Sequence, residues 1–189
     1  MVTQTTGRDL CCGYRPPSPG SVCGVRITAE LVYDIGPHAV FTMICDTAFQ
    51  ERKCVAGGAL QHEVQVEQRD DGTAVITTHR TMPTDGVPDF VKSMVGSTLK
   101  VTQSDEWAAP APDGGRKGTT VVRIAGAPIT FTGTLRLTAE GAGARQAIDG
   151  DLKASVPLLG GKIEKAAEPA IRAAIRAEQR TSSAWIAGE

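Results

Sequence analysis

Four polar side chains fall where alternating segments would otherwise turn apolar residues inward. His62 shares its face with Leu60, Val64 and Val66, and Arg80 shares one with Ile76 and Met82. Gln103 and Asp105 stand on the same parity as Val101 and Trp107. An inward Arg or Asp has to be paired or hydrogen-bonded, because an isolated charge in an apolar surrounding is strongly disfavoured. Placed beside apolar neighbours, such groups can anchor a carboxylate, hydroxyl or carbonyl of a ligand that is otherwise apolar. An enzymatic use would make His62 or Asp105 a general base and Arg80 an oxyanion stabiliser. A salt bridge at the rim gives the same pattern, and a one-residue register slip would turn every one of these side chains outward. The sequence has no Ser-His-Asp spacing, phosphate-binding glycine loop or paired-carboxylate motif, so no catalytic residue is assigned.

The cysteines point away from metal chemistry. Cys11 and Cys12 are adjacent, eight residues separate Cys45 from Cys54, and His38, His62 and His79 are scattered, whereas zinc sites use pairs two to four residues apart. Neither a metal nor a cofactor is expected. Five cysteines in a chain long enough to build a core read as reduced thiols, which places the protein in a cytoplasm. The first residues, MVTQTTGRDL, lack the basic start and apolar stretch of a secretory signal, and no apolar window is long enough for a transmembrane helix.

A net charge of −1 with 22% charged residues offers no electrostatic reason to bind nucleic acid. Only 4% of the residues are aromatic against 41% hydrophobic, so the core must be built of Ala, Val, Ile and Leu. Trp107 and Trp185 read as core plugs rather than a stacking platform, because no basic groove accompanies them.

The elements that would position the polar residues follow from periodicity. Residues 1 to 24, rich in Pro, Gly and Ser, read as a disordered extension, or as a segment not translated if synthesis starts at Val25; 25 to 189 read as one domain. A first strand covers 26 to 34. Pro37 opens a short helix and Asp46 caps a second. Strands follow at 59 to 68 and 73 to 82, joined by an Asp-Asp-Gly turn, and then at 98 to 107, 119 to 126, 128 to 138 and 144 to 157. The stretch 108 to 118 reads as a Pro/Gly-rich excursion, and DFVKSMVG as one or two helical turns.

The chain ends in one long helix from about residue 161 to 187. Glu164, Glu168, Arg172, Arg176 and Arg180 form its wet row, and Glu178 reads as a solvated residue. The opposite stripe carries Ile163, Ala166, Ala167, Ala170, Ala174, Ala177, Thr181 and Trp185, with Pro169 bending the helix.

A strand, two short helices, a run of antiparallel strands and a long final helix is the order of the helix-grip domains. The segments THRTMPTDGVPDFVKSMVG and SVPLLGGKIE, with the strand ending at Asp105-Glu106-Trp107, resemble the actinobacterial family known as domain of unknown function 2505, of the START-like or SRPBCC superfamily. The resemblance covers about Arg26 to Glu189. It implies an α+β fold: a curved seven-stranded antiparallel sheet gripping the last helix around a cavity that, in many members, holds a lipid or another apolar molecule.

The alanine stripe, together with Gly133 and Gly150, is expected to make room for that cavity. The ligand-binding set expected is His62, Arg80, Val101, Gln103, Asp105, Phe131, Gly133, Leu135, Leu152, Ala166, Ala170, Ala174 and Ala177. The expected function is binding, by sequestration or presentation, of an apolar or amphipathic small molecule by a monomer or weak dimer. The alternatives are a cyclase or hydrolase on the same scaffold, and a protein-interaction module using the 108 to 118 loop and the short 88 to 95 helix.

Overall fold

Alternation sets the strands and local capping sets the helices. In the computed structural model, which describes residues 24–85, 87 and 89–189, β1 is Val25–Tyr33, α1 Pro37–Ile44 and α2 Thr47–Ala56. Pro37 starts α1 at the position where a missing N–H costs nothing. Asp46 caps α2: its Oδ1 accepts from the backbone N–H of Ala48 at 2.8 Å and of Phe49 at 3.3 Å. The chain continues through β2 Gln61–Gln68, β3 Ala74–Pro83, α3 Asp89–Val95, β4 Thr98–Trp107, β5 Arg116–Ile124, β6 Ile129–Glu140, β7 Gly143–Ala154 and α4 Gly160–Ile186. The expectations for residues 1 to 23, including Cys11, Cys12 and Cys23, lie outside the described residues.

All seven strands form one antiparallel sheet in the order β1-β7-β6-β5-β4-β3-β2. Its fold class is the expected one. β5 begins at Arg116, inside the stretch expected to be loop, because the Arg116 guanidinium donates to the carbonyls of Gly72 and Ala108 at 2.6 and 3.0 Å and draws the excursion back to the sheet.

Pairing aligns the inward residues into rows. One row reads Ile27–Gly150–Gly133–Thr120–Asp105–Ile76–Val66, and the next Val25–Leu152–Phe131–Val122–Gln103–Thr78–Val64. A third places Ile124, Val101, Arg80 and His62 side by side. No slip separates the paired positions, so the inward parity expected for His62, Arg80, Gln103 and Asp105 holds.

Helix α4 departs from its expected orientation. It runs beside β1, the edge strand: the Gln179 side chain accepts from the Val32 N–H at 2.8 Å and donates to its carbonyl at 2.9 Å, and Arg172 donates to the Thr28 carbonyl at 3.4 Å. These contacts occupy backbone groups an edge strand would otherwise expose. The residues turned toward the sheet include Ile163, Glu164, Ala167, Ile171, Ile175 and Ser182, which are buried or half-buried. Ala170 and Ala174 are exposed, Ala166 is half-buried and only Ala177 of the four is buried. The buried face is therefore turned by about 60° from the alanine stripe at 100° per residue. The rotation has a cause in area: isoleucines at 171 and 175 remove more apolar surface from water than alanines do.

Glu164, expected in the wet row, is 2% exposed and accepts from the Ala154 N–H at 2.9 Å, pinning the start of α4 to the end of β7. Replacing Glu164 by Ala removes that acceptor and buries an unsatisfied N–H, which costs about 1–3 kcal/mol. Urea unfolding should show this loss, with Glu164→Gln retaining most of the stability; equal stability of Glu164→Ala and the parent protein would contradict the pin.

Candidate functional site

Two glycines expected to make room instead serve close packing. Gly133 and Gly150 face each other across β6 and β7, and a Cβ on Gly150 would lie 2.6 Å from the Phe131 ring and 2.7 Å from the Gly133 Cα. The Phe131 ring fills the space the glycines leave. Phe131, Leu135 and Leu152, expected to line a cavity, are 5%, 5% and 1% exposed and belong to the closed core with Ile27 and Leu31.

The core is also sealed at the α1 end. Phe41 of α1 meets Trp107 edge to face at 6.1 Å between centroids, and the Arg116 guanidinium lies 3.4 Å above the Phe41 ring centroid. On the other side of α1, Lys53 of α2 meets Glu178 of α4 at 3.6 Å with both largely buried, and Phe49 meets Trp185 edge to face. Glu178 is thus a partner of α2 rather than a solvated residue. Burial raises the Tyr33 hydroxyl well above its usual range, with the charge of Glu178 adding to the effect, so the phenol stays protonated and donates to Gln146 at 3.1 Å.

Over β2, β3, β4 and β5 the inner face is less covered. Val64, Arg80, Met82, Leu99, Val101, Gln103, Val122 and Ile124 are all half-buried although they point to the helix-packed side. Within this area lies a polar relay. Arg80 Nη2 donates to Gln103 Oε1 at 2.8 Å, and Gln103 Nε2 donates to the two Asp105 oxygens at 3.1 and 3.0 Å. The relay fixes the Gln103 amide without ambiguity, since guanidinium only donates and carboxylate only accepts. Arg80 and Asp105 are therefore joined through Gln103 and form no direct ion pair.

Three solvent-excluded polar atoms of β3 and β4 have no partner: Arg80 Nε, Thr78 Oγ1 and Trp107 Nε1. All three belong to inward-facing residues. His62 stands opposite Arg80 in register but is exposed on β2. The sequence marks Arg80, Gln103 and Asp105 by parity; Thr78 carries the same signal in a face shared with Ile76. Lys53 and Glu178 are not legible in it, because α2 buries Phe49, Gln50, Lys53 and Cys54 and thus has a half-polar inner face.

Two open depressions lie elsewhere. One of about 310 Å³ lies among Ile35, Met43, Trp185 and neighbours, and one of about 440 Å³ among Pro128, Thr132, Lys153 and neighbours. Neither includes a residue expected to bind ligand. Among the described residues no group of three His, Cys, Asp or Glu side chains is placed to hold a metal ion.

The sequence matches the family described as Protein of unknown function (DUF2505) over residues 28–186. The uncharacterized protein Rv0481c of Mycobacterium tuberculosis is 26% identical over 119 residues, which are 62% of this chain and 68% of that protein. Among solved structures, the protein TTHA0849 from Thermus thermophilus superposes with a TM-score of 0.52 at 14% identity, covering 85% of this chain and 98% of that one. A START superfamily protein from Mycobacterium smegmatis superposes at 0.47 and 11% identity, covering 84% and 97%. At 14% identity the likeness to TTHA0849 is one of fold.

Cys45 and Cys54 are free and buried. Burial pushes the Cys45 thiol up to about 11, against the pull of Arg116, and raises Cys54 against Arg80 and Lys53. Raised thiols stabilise the fold below the ordinary thiol range, and that contribution is lost as pH rises through about 11. With Cys11, Cys12 and Cys23 replaced by Ser, native Cys45 should react with a disulfide reagent at pH 8 about a hundredfold more slowly than in the unfolded chain. Equal rates would show that Cys45 is accessible.

Proposed function

From a chain that belongs to the DUF2505 family and folds as a START-like helix-grip domain, we propose that the protein binds an amphipathic small molecule, such as a lipid, on the less covered part of its sheet. The observation that carries this reading is the coincidence of half-buried apolar side chains with unpartnered polar atoms on one inward face. Val64, Val101, Val122 and Ile124 supply the apolar surface, and Arg80, Thr78 and Gln103 the polar end. Small-molecule sites have this composition: mostly apolar, with a few convergent polar groups.

Helix α4 gives the site a wall. Arg172 and Gln179 hold one flank to the β1 edge, and the flank about 180° around the helix carries Ala166, Ala170 and Ala174. We take that flank, which points away from the β1 edge, as the wall of the proposed site. Small side chains there leave space between helix and strands. Of the two general bases considered, Asp105 is hydrogen-bonded to Gln103, and His62 is out on the exposed edge strand.

The protein acts as a sequestering or presenting protein, in the cytoplasm, as a monomer or weak dimer. Free Cys45 and Cys54 support a reducing compartment. Among the described residues no helix is long and apolar enough to cross a membrane.

The test uses a neutral apolar dye, Nile red, and three variants. Ala170→Trp and Ala174→Trp, at exposed positions, should weaken dye binding about tenfold or more while shifting Tm by no more than about 2 °C. Ala177→Trp, at a buried position, should instead destabilise the fold by about 1–3 kcal/mol through overpacking. Dye binding unchanged in both of the first two variants would overturn the proposed wall.

A further inference from the structure

Arg80 is the only charged side chain of β3 on the inward parity, and one of its N–H groups has a protein partner. Gln103 accepts a single hydrogen from Nη2. A guanidinium has five N–H hydrogens arranged in two forked edges that share Nη2. Whichever Nη2 hydrogen Gln103 takes, the other edge keeps both of its donors.

Among the described residues no carboxylate lies within ion-pair distance of the half-buried Arg80, although Lys53, a largely buried cation of α2, has Glu178. Asp105 does not supply the missing charge. Both its oxygens face Gln103 Nε2, with the amide between them and the guanidinium. Nε of Arg80 is excluded from solvent and unpartnered, and so is the hydroxyl of Thr78, a residue 3% exposed that stands two positions earlier on the same face of β3. A buried N–H and a buried hydroxyl left without partners each cost free energy.

A neutral hydroxyl or carbonyl would satisfy one of these donors. A planar two-oxygen acid satisfies a guanidinium edge in full and matches its charge. We infer that the head group of the ligand is a carboxylate, held by the free fork of Arg80, so that the ligand is an aliphatic or aryl acid rather than a neutral lipid. This rests on the binding site proposed above. It assigns the polar end of that site a charge selectivity, which the site's apolar lining alone would not confer.

The test compares dodecanoate with dodecanol, two probes with the same chain and different heads, each below its aggregation limit. Binding to the full chain at pH 7.5 is followed by calorimetry. The wild-type protein should bind dodecanoate about tenfold or more tightly than dodecanol. Arg80→Gln should bring the ratio of dodecanoate to dodecanol affinity down to about one, and Arg80→Lys, which keeps the charge but loses the fork, should restore only part of the preference.

Equal affinity of the wild-type protein for both probes would overturn the carboxylate inference and leave the binding reading standing. Binding of neither would overturn both. A dodecanoate preference that survives Arg80→Gln would overturn the assignment to Arg80. The wild-type comparison decides the first two outcomes even if a variant fails to fold.

Discussion

The free edge of β1 determines where everything else can lie. An edge strand that presents unpaired backbone groups needs a cover, and Gln179 and Arg172 provide it by tying α4 alongside Val32 and Thr28. Glu164 sets the other end of the helix by accepting from Ala154 at the end of β7. A helix fixed at these points packs over β1 and β7, while α1 and α2 close one end of the inner face. The strands farthest from α4 are left with partly covered inner residues. The less covered surface is thus a consequence of where the helix is held.

The closed and less covered parts of the sheet use different chemistry. Beneath α4 and α1 the interior is dense: Phe131 lies against Gly133 and Gly150, and Arg116 balances its buried charge with carbonyls and an aromatic ring. Over β3 to β5 the polar groups form a chain, from Arg80 to Gln103 to Asp105, that leaves donors unused at its Arg80 end. A network with every member satisfied would serve stability alone. The donors left over at the Arg80 end are what the proposed ligand would complete.

Much of this is legible in the sequence because strand parity is a robust signal. The alternation around Arg80, Gln103 and Asp105 survives into the pairing, and so does the order of elements, which rests on turn chemistry such as the Asp70-Asp71-Gly72 turn and the Asp46 cap. The helix wheel of α4 is less reliable. Ile171 and Ile175 lie roughly 60–100° from Ala174 at about 100° per residue, so the pattern alone admits two faces. Contacts distant in sequence, between Gln179 and Val32 and between Glu164 and Ala154, choose between them. Gly133 misleads for a related reason: a small residue on an inward face shows that something comes close, not whether it is a ligand or the Phe131 ring. Lys53 and Glu178 carry no periodic signal because each is buried by the other.

The central claim is that the inner face of the sheet is unequally covered, and methyl-group NMR with a soluble paramagnetic chelate measures this directly. The account predicts strong relaxation enhancement at Val64, Val101 and Ile124, which are half-buried, and little at Ile27, Leu31 and Leu152, at 0%, 0% and 1% exposure. Equal protection of the two groups would mean that the strands far from α4 are as closed as those beneath it, and would contradict the account.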